Sequence, residues 1–374
     1  MTATMNYHNI LISIFVVSAA VQFFYYWYFF SRLAFHRKKM TYSGNPEPVS
    51  VVICAHNESE NLQKNLPEIL NQDYPDFEVV VVNDGSTDDS ETMLLEFSNR
   101  YKHLKVINIK NSVTFYRSKK FPLSVGIRSA SFDLVLLTDA DCIPTSNQWI
   151  RTIQQNFIEK TEIVLGYGPY EKKKGWLNLL IRYDTFHTAI QYMGYALAGL
   201  PYMGVGRNLS YRRSLFFKHK GFINHYKVTS GDDDLFVNDA ATATNTSIET
   251  DLRSHMISRP KESFEAWIQQ KSRHYEAGKH YRPKFKWLLG MYHFSSVFYY
   301  LLLATVIALW VYPVIAGIAH ALRMVSLLIL MKLCSHKLNE GKLYLSSPLL
   351  DPFFTFFSPL IALRNSFFPY TKWK

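Results

Sequence analysis

No Asp, Glu, Lys or Arg occurs before Arg32, and Ile10 to Phe30 is almost wholly apolar and aromatic. Such a run is long enough to cross a bilayer, and in lipid only a helix or a closed barrel satisfies its own backbone. A cleaved signal peptide is the competing reading. It is disfavoured because no basic region precedes the run, no small-x-small site follows, and the run is too long. A basic cluster follows instead: Arg32, Arg37, Lys38 and Lys39. The positive-inside rule then keeps that end in the cytoplasm and turns the N-terminus outward. Phe294 to Val311 reads as a second span, entered from Lys279, Arg282, Lys284 and Lys286. Tyr312-Pro313 breaks the helix, and Val314 to Leu333 returns as a third. His320 and Arg323 inside it are costly in lipid, so they face protein or headgroups unless the segment lies shallow. A last apolar stretch, Leu349 to Phe368, contains Asp351, Pro352, Pro359 and Arg364. Re-entrant, interfacial and spanning placements stay open for it. The expected organisation is an N-terminal transmembrane helix (1–31), a basic juxtamembrane linker (32–48), a cytoplasmic domain (49–285) and C-terminal membrane segments (286–374). That places the protein in the inner or cell membrane as a multi-pass protein.

The formal charge of +11 invites a nucleic-acid partner. The basic residues nevertheless cluster beside the apolar spans, where anionic headgroups lie, and no nucleic-acid fold motif appears. Three scattered cysteines, Cys54, Cys142 and Cys334, lack metal-ligand spacing and fit a reducing compartment without disulfides.

Between the membrane segments, apolar runs alternate with helical stretches. Val49 to Cys54 is a β-branched strand; Ser59 is expected to cap a helix through about Gln72. Phe77 to Val82 is the next strand. Asn83-Asp84-Gly85-Ser86-Thr87-Asp88 is dense in turn and cap residues, with Ser86 placed to cap the helix running to about Tyr101. A strand over Leu104 to Ile109 and a helix over Phe121 to Ala130 lead to Leu134-Val135-Leu136-Leu137. That run enters Thr138-Asp139-Ala140-Asp141. This alternation predicts an α/β fold with a parallel sheet and right-handed crossovers. Loops after strands one, two and four would gather on one edge, where open α/β sheets place ligands. Two carboxylates one residue apart there suit Mg²⁺ or Mn²⁺, which takes one or two carboxylates and completes its shell with water and phosphate oxygens. A second acidic cluster, Gly231-Asp232-Asp233-Asp234-Leu235, would repel the first unless a cation or a division of roles separates them. Singly, each signal has a bland alternative. Taken alone, Asp84 reads equally as a turn residue, Lys119 and Lys120 as solvated, and Trp267 to Tyr275 as an amphipathic interfacial helix.

As an ordered set the motifs resemble the membrane-attached, inverting family 2 glycosyltransferases with a GT-A fold. The carrying residues are Ala55-His56-Asn57-Glu58, Asn83-Asp84-Gly85-Ser86-Thr87-Asp88, Lys119 with Leu123, and Asp139-Ala140-Asp141. Gly204-Val205-Gly206-Arg207-Asn208, the Gly231 to Leu235 cluster and Gln270-Lys271-Ser272-Arg273-His274 complete the set, which covers Val49 to Gly278. The resemblance implies a GT-A, Rossmann-like, mostly parallel sheet with flanking helices. Asp84 would contact the uracil or ribose of a UDP-sugar, helped by the Ala55 backbone, Asn57 and Glu58. Lys119 would lie near the nucleotide, Asp139 near the ribose, and Asp141 on the metal. Asp232 would be the general base, taking the acceptor's proton, with Asp233 the runner-up because Gly231 stands where the family often has Glu. Gln270 and Arg273 match the family's Gln-x-x-Arg-Trp motif, Arg273 stabilising the leaving diphosphate. His274 replaces the Trp and is assigned to the acceptor, and Asn208 to donor sugar or acceptor. The aromatic stretch Gly175 to Ala196 either docks on headgroups or shapes an acceptor channel.

The expected activity is therefore metal-assisted transfer of a hexose from a UDP-sugar to a membrane lipid or lipid-linked acceptor. A processive polysaccharide synthase, a nucleotidyltransferase and an inactive membrane scaffold are the alternatives. No Walker loop or Gly-x-Gly-x-x-Gly fingerprint follows a strand, which removes kinase and dehydrogenase readings.

Overall fold

The computed structural model describes residues 2–38, 45–109, 118–158, 160–228 and 230–367. Lys39 of the basic cluster, part of the expected linker and the end of the last apolar stretch (Phe368) lie outside them. Helix α1 (Thr2–Phe24) runs into a π-helical segment, Tyr25–Phe30, and a short α2 (Ser31–Ala34). The soluble part begins with β1 (Val49–Ala55), α3 (Ser59–Leu70), β2 (Phe77–Asp84), α4 (Ser90–Arg100) and β3 (Leu104–Ile109). It continues through α5 (Lys120–Ser129), β4 (Leu134–Asp139), β5 (Cys142–Pro144), α6 (Trp149–Gln154) and β6 (Ile163–Leu165). Then come α7 (Trp176–Leu197), β7 (Leu209–Arg212), α8 (Arg213–Lys218), α9 (Asp234–Ala240), β8 (Thr246–Ile248), β9 (Met256–Ser258) and α10 (Phe264–Gly278). Three long helices close the chain: α11 (Pro283–Ala308), α12 (Pro313–Lys337) and α13 (Ser347–Phe367).

The main sheet has seven strands in the order β3-β2-β1-β4-β7-β6-β8. β1 pairs in parallel with both β2 and β4, and β2 with β3. This half follows from the apolar runs: Val51 and Ile53 pack on one face, Val52 on the other, so both faces are buried. The sheet is not wholly parallel, however. β7 runs antiparallel to both β4 and β6, a strand the alternation did not mark. Its four residues carry Ser210 and Arg212, too polar and short to stand out. The expected caps also differ. Ser59 is the first helical residue, and the Asp88 carboxylate accepts from its amide at 3.0 Å. Ser86 instead accepts from the Asn57 amide (2.9 Å), while Asp89 precedes α4. These loops are tied to each other rather than each to its own helix. Gly85, at φ +60°, supplies the tight turn.

Among the described residues, three helices are long and apolar enough to cross a membrane: Asn6–Ala34, Pro283–Ala308 and Pro313–Lys337. Tyr312 adopts a left-handed conformation before Pro313, which ends one helix and starts the next. Arg323 is 0% exposed and donates to Asp351 of α13 at 2.8 Å, with Tyr300 and Gln22 completing its shell. His320 meets the Tyr299 hydroxyl at 2.8 Å. Both polar residues therefore face protein. α13 turns Ser347, Asp351, Thr355, Ser358 and Asn365 inward despite Pro352 and Pro359. The bundle is continuous with the α/β core. Tyr26, Phe29 and Phe30 are buried in the same cluster as Val52, Val135 and α7, and Phe29 stacks on Tyr195 at 4.1 Å. A Cβ on Gly194 would lie 2.6 Å from the Phe29 carbonyl, so glycine permits this approach.

Candidate active site

Parallel register places Cys54 of β1 beside Asp139 of β4, and Ala55 beside Asn83 of β2. The loops that follow therefore meet at one sheet edge. They enclose a small cavity of about 120 Å³ lined by Ala55, Glu58, Asp84, Lys119, Asp139, Asp141 and Arg273 among others. His56 contacts the Asp84 carbonyl at 2.6 Å. Burial raises the Asp84 carboxyl above its usual range, with His56 opposing. Asn57, at φ +55°, spends its side-chain oxygen on the Thr87 amide (2.7 Å) and holds the two loops together.

This edge meets a larger cavity of about 650 Å³, which runs past Asp232 and Arg273 to the membrane helices. Lys119, Asp139 and Arg273 border both. Lys119 pairs with Asp139 and, at 3.7 Å, with Asp232, so one ammonium joins the two acidic clusters. Burial disfavours its charge, but Asp139 and Asp232 together hold its pKa well above the usual lysine range. Lys120 points the other way. Its ammonium donates to the carbonyls of His225 (2.8 Å), Val228 (2.6 Å) and Ser230 (2.7 Å), fixing the loop that delivers Asp232.

The three acidic residues of the second cluster have different surroundings. Asp233 caps α9, accepting from the amides of Asp234 (2.8 Å) and Gly206 (2.6 Å). Burial and the Asp232 charge push its pKa up to about 6. Asp234 is buried against the Tyr281 hydroxyl at 3.0 Å. Asp232 borders the cavity with Lys119 beside it. Gly231 stands at φ +79°, and a Cβ there would meet Leu235 at 2.9 Å. The backbone thus explains why Glu is replaced at this position.

A metal fits the first cluster. Asp139 and Asp141 bring carboxylate oxygens within 4.8 Å of each other and of the Cys142 sulfur. Burial, then Asp139, raises the Asp141 carboxyl above its usual range, a repulsion that a divalent cation would relieve. Cys142 does not suit that role. Its thiol is buried, lies 2.9 Å from the Ser258 hydroxyl, and has a pKa driven well up by burial and Asp141. Hard cations prefer oxygen.

On α10, Gln270 donates to the Tyr170 hydroxyl at 2.9 Å and Lys271 pairs with Asp184 at 2.8 Å. The Arg273 carbonyl accepts from Ser230 (2.8 Å), which locks α10 to the Asp232 loop. His274 borders the large cavity and is exposed. Trp267 is 1% exposed and stacks on Phe357 at 5.4 Å, so α10 packs within the protein, not as a headgroup-facing helix. α7 likewise turns Tyr183, His187 and Tyr192 to the cavity.

Asn208 is the correction. It is 0% exposed, accepting from the Trp149 indole (3.1 Å) and donating to the carbonyls of Tyr167 and Ser254 (both 2.8 Å). Its polar atoms are consumed inside the core, so as it stands it contacts neither donor nor acceptor. Its neighbour Arg207, in the same motif, faces the cavity instead. That side chain lies over the Tyr170 ring at 4.6 Å and borders the cavity, and its Nε is buried without a hydrogen-bond partner. Only the antiparallel β7, which follows it, brings this residue beside Asp139 and Asp141.

Residues 50–219 match the glycosyl transferase family 2. These residues form a glycosyl transferase family 2 domain. An uncharacterized glycosyltransferase of Haemophilus influenzae is 34% identical over 122 residues, covering 33% of this chain and 36% of that protein. A poly-beta-1,6-N-acetyl-D-glucosamine synthase of Staphylococcus epidermidis is 28% identical over 139 residues, 37% of this chain and 32% of that one. The match thus spans about a third of these relatives' length. A mannosyltransferase of Pyrobaculum calidifontis, solved with GDP-Man and Mn²⁺, shares the fold. Its TM-score is 0.63 at 18% identity, covering 96% of this chain and 98% of that one. For a family 2 glycosyltransferase, the joined cavities hold a charged end at the sheet edge and an aromatic end among the helices.

Proposed function

We propose that this glycosyltransferase is an inverting, membrane-embedded hexosyltransferase, its catalytic domain cytoplasmic, using a UDP-linked donor and a membrane lipid or lipid-linked acceptor. The observation that carries the reading is the single cavity running from Lys119 and Asp139, past Asp232, to helices that can cross a membrane. Asp84, Glu58 and the Ala55 backbone border the nucleotide end. Asp139 and Asp141 would hold Mg²⁺ or Mn²⁺, which when bound neutralises diphosphate charge. Arg273 and Arg207 add fixed positive charge where the leaving group develops negative charge.

Asp232 takes the proton of the acceptor hydroxyl as that oxygen forms a bond to the anomeric carbon. The bond from this carbon to the diphosphate oxygen breaks, its electron pair leaving with the nucleotide diphosphate. One displacement inverts the anomeric centre. Lys119, shared by Asp139 and Asp232, lies between donor and base. Asp233 is better suited to holding the α9 terminus than to moving a proton.

The test is nucleotide release by the detergent-purified full chain with Mn²⁺ or Mg²⁺, across UDP- and GDP-sugars, with Asp141→Ala beside it. UDP release from one sugar, lost in the variant, supports the reading. GDP release would replace the donor, and pyrophosphate release would make the protein a nucleotidyltransferase. Binding without any turnover would return it to a scaffold. The synthase names among the relatives favour one second reading, a processive polymerase, which product length separates from single transfer.

A further inference from the structure

The proposed function leaves the acceptor's chemistry open, and the charge distribution along the large cavity narrows it. At the sheet edge, Lys119, Arg207 and Arg273 present cations to the open space. Deeper, between α7, α10, α11 and α13, the charges that border the cavity are already matched. Lys271 is paired with Asp184 at 2.8 Å, and Asp351 with the fully buried Arg323 at 2.8 Å. The imidazole of His187 stays neutral there, because burial lowers its pKa. Lys279 and Lys286 are exposed at the rim, Lys279 tied to Glu276 at 2.8 Å. A phosphate driven into the deep half would lose its water and meet no unmatched cation, which is costly.

What the deep half offers is uncharged. Ser296 and Thr355 hydroxyls meet at 2.8 Å, and His187 meets the Tyr292 hydroxyl at 3.1 Å. These pairs can exchange partners with a ligand's hydroxyl groups at little cost. Ring faces line the same space: Tyr183 stacks on Phe354 at 5.6 Å. Flat apolar faces set among neutral donors and acceptors match a sugar ring, whose C–H face is apolar and whose rim is all hydroxyl.

We propose that this deep half is an acceptor subsite for an uncharged sugar ring, so that the enzyme extends an existing glycoside and does not glycosylate a lipid phosphate. The inference rests on the transferase reading and goes beyond it by naming the acceptor class. A glycolipid headgroup and the end of a free oligosaccharide share this chemistry.

Once a donor is found, nucleotide release by the full-length protein is measured with three probes: glucosyl-diacylglycerol, soluble cellobiose and undecaprenyl phosphate. Stimulation by either glycosylated probe with incorporation of the donor sugar is the expected result, and the arm that responds identifies the source. His187→Phe and Thr355→Val should each raise KM for that probe about tenfold, the scale of one or two lost hydrogen bonds. The donor KM should not change, a split between acceptor and donor that a merely misfolded variant would not show. Stimulation by undecaprenyl phosphate alone, or by none of the three, overturns the proposal, as does an acceptor KM indifferent to both substitutions. Absence of nucleotide release from any donor would instead remove the transferase reading itself.

Discussion

Two clusters in this molecule use the same residue types, a basic side chain between carboxylates and aromatics, and do opposite things with them. Lys119 with Asp139 and Asp232 borders open space: Asp139 keeps 38% of its side-chain exposure and Lys119 19%. Arg323 with Asp351 keeps 0% and 5%, boxed in by the Tyr26, Tyr299 and Tyr300 rings. An ion pair that borders a cavity can be reorganised by a charged ligand. The Arg323–Asp351 pair reaches the cavity only at the nearly buried Asp351, whose Oδ2 already accepts from both Arg323 and Tyr300, and it holds α12 against α13. Composition does not separate the two; access does.

The sharpest way to break that comparison is to remove one carboxylate from each cluster. Asp232→Asn should lower kcat by a factor on the order of 10²–10⁴, the usual share of a general base, while leaving thermal stability near that of the parent. A stability loss that accounts for the missing activity would erase the distinction. In the bundle, Arg323→Met should cost ~3–5 kcal/mol by leaving Asp351 charged and unmatched. Arg323→Met with Asp351→Leu should recover most of that. Denaturation midpoints of the three proteins in one detergent check this.

Lys120→Met tests the support beneath the open cluster. Removing an ammonium that serves three carbonyls should cost ~2–3 kcal/mol locally. The result should be faster proteolysis around residues 225–230 and a lowered kcat, with the donor KM little altered. The smallest effect concerns acid. His255 is 1% exposed, and burial lowers its pKa to about 4. An unfolded histidine takes up its proton near pH 6.5, so between those values the unfolded chain binds more protons and stability falls as pH falls. From pH 7 to pH 5 the expected loss is ~2 kcal/mol. His255→Gln should flatten that limb in melting curves, although Asp233, raised to about 6, acts in the opposite sense in both proteins.

The open cluster was largely legible in the sequence, because its residues follow apolar strands directly. Leu134 to Leu137 must be a buried strand, and Asp139 and Asp141 must then leave its carboxyl end. Arg207 was not legible, since its placement depends on a short polar strand pairing antiparallel with β4. Asn208 was misassigned for a related reason: two glycines before it suggested a loop, and nothing local showed three core partners waiting. Arg323 and Asp351 each read as a liability in lipid. Their mutual solution required knowing that α12 and α13 pack side by side. Ser59 and Ser86 had the right chemistry for caps, but partners from a neighbouring loop competed successfully for both.

Phe30, the last residue of the π-helical segment, sets its ring edge-on to His187 at 5.8 Å. The N-terminal segment is therefore no leash holding an otherwise complete enzyme near the bilayer. It is masonry in the wall of the reaction chamber. Cutting the chain ahead of β1 to obtain a soluble protein would strip Phe30 from one side of His187, leave it only Tyr183 and Tyr292, and open the chamber on that side. Such a fragment could still bind nucleotide at its intact sheet edge, and would report on half of an enzyme.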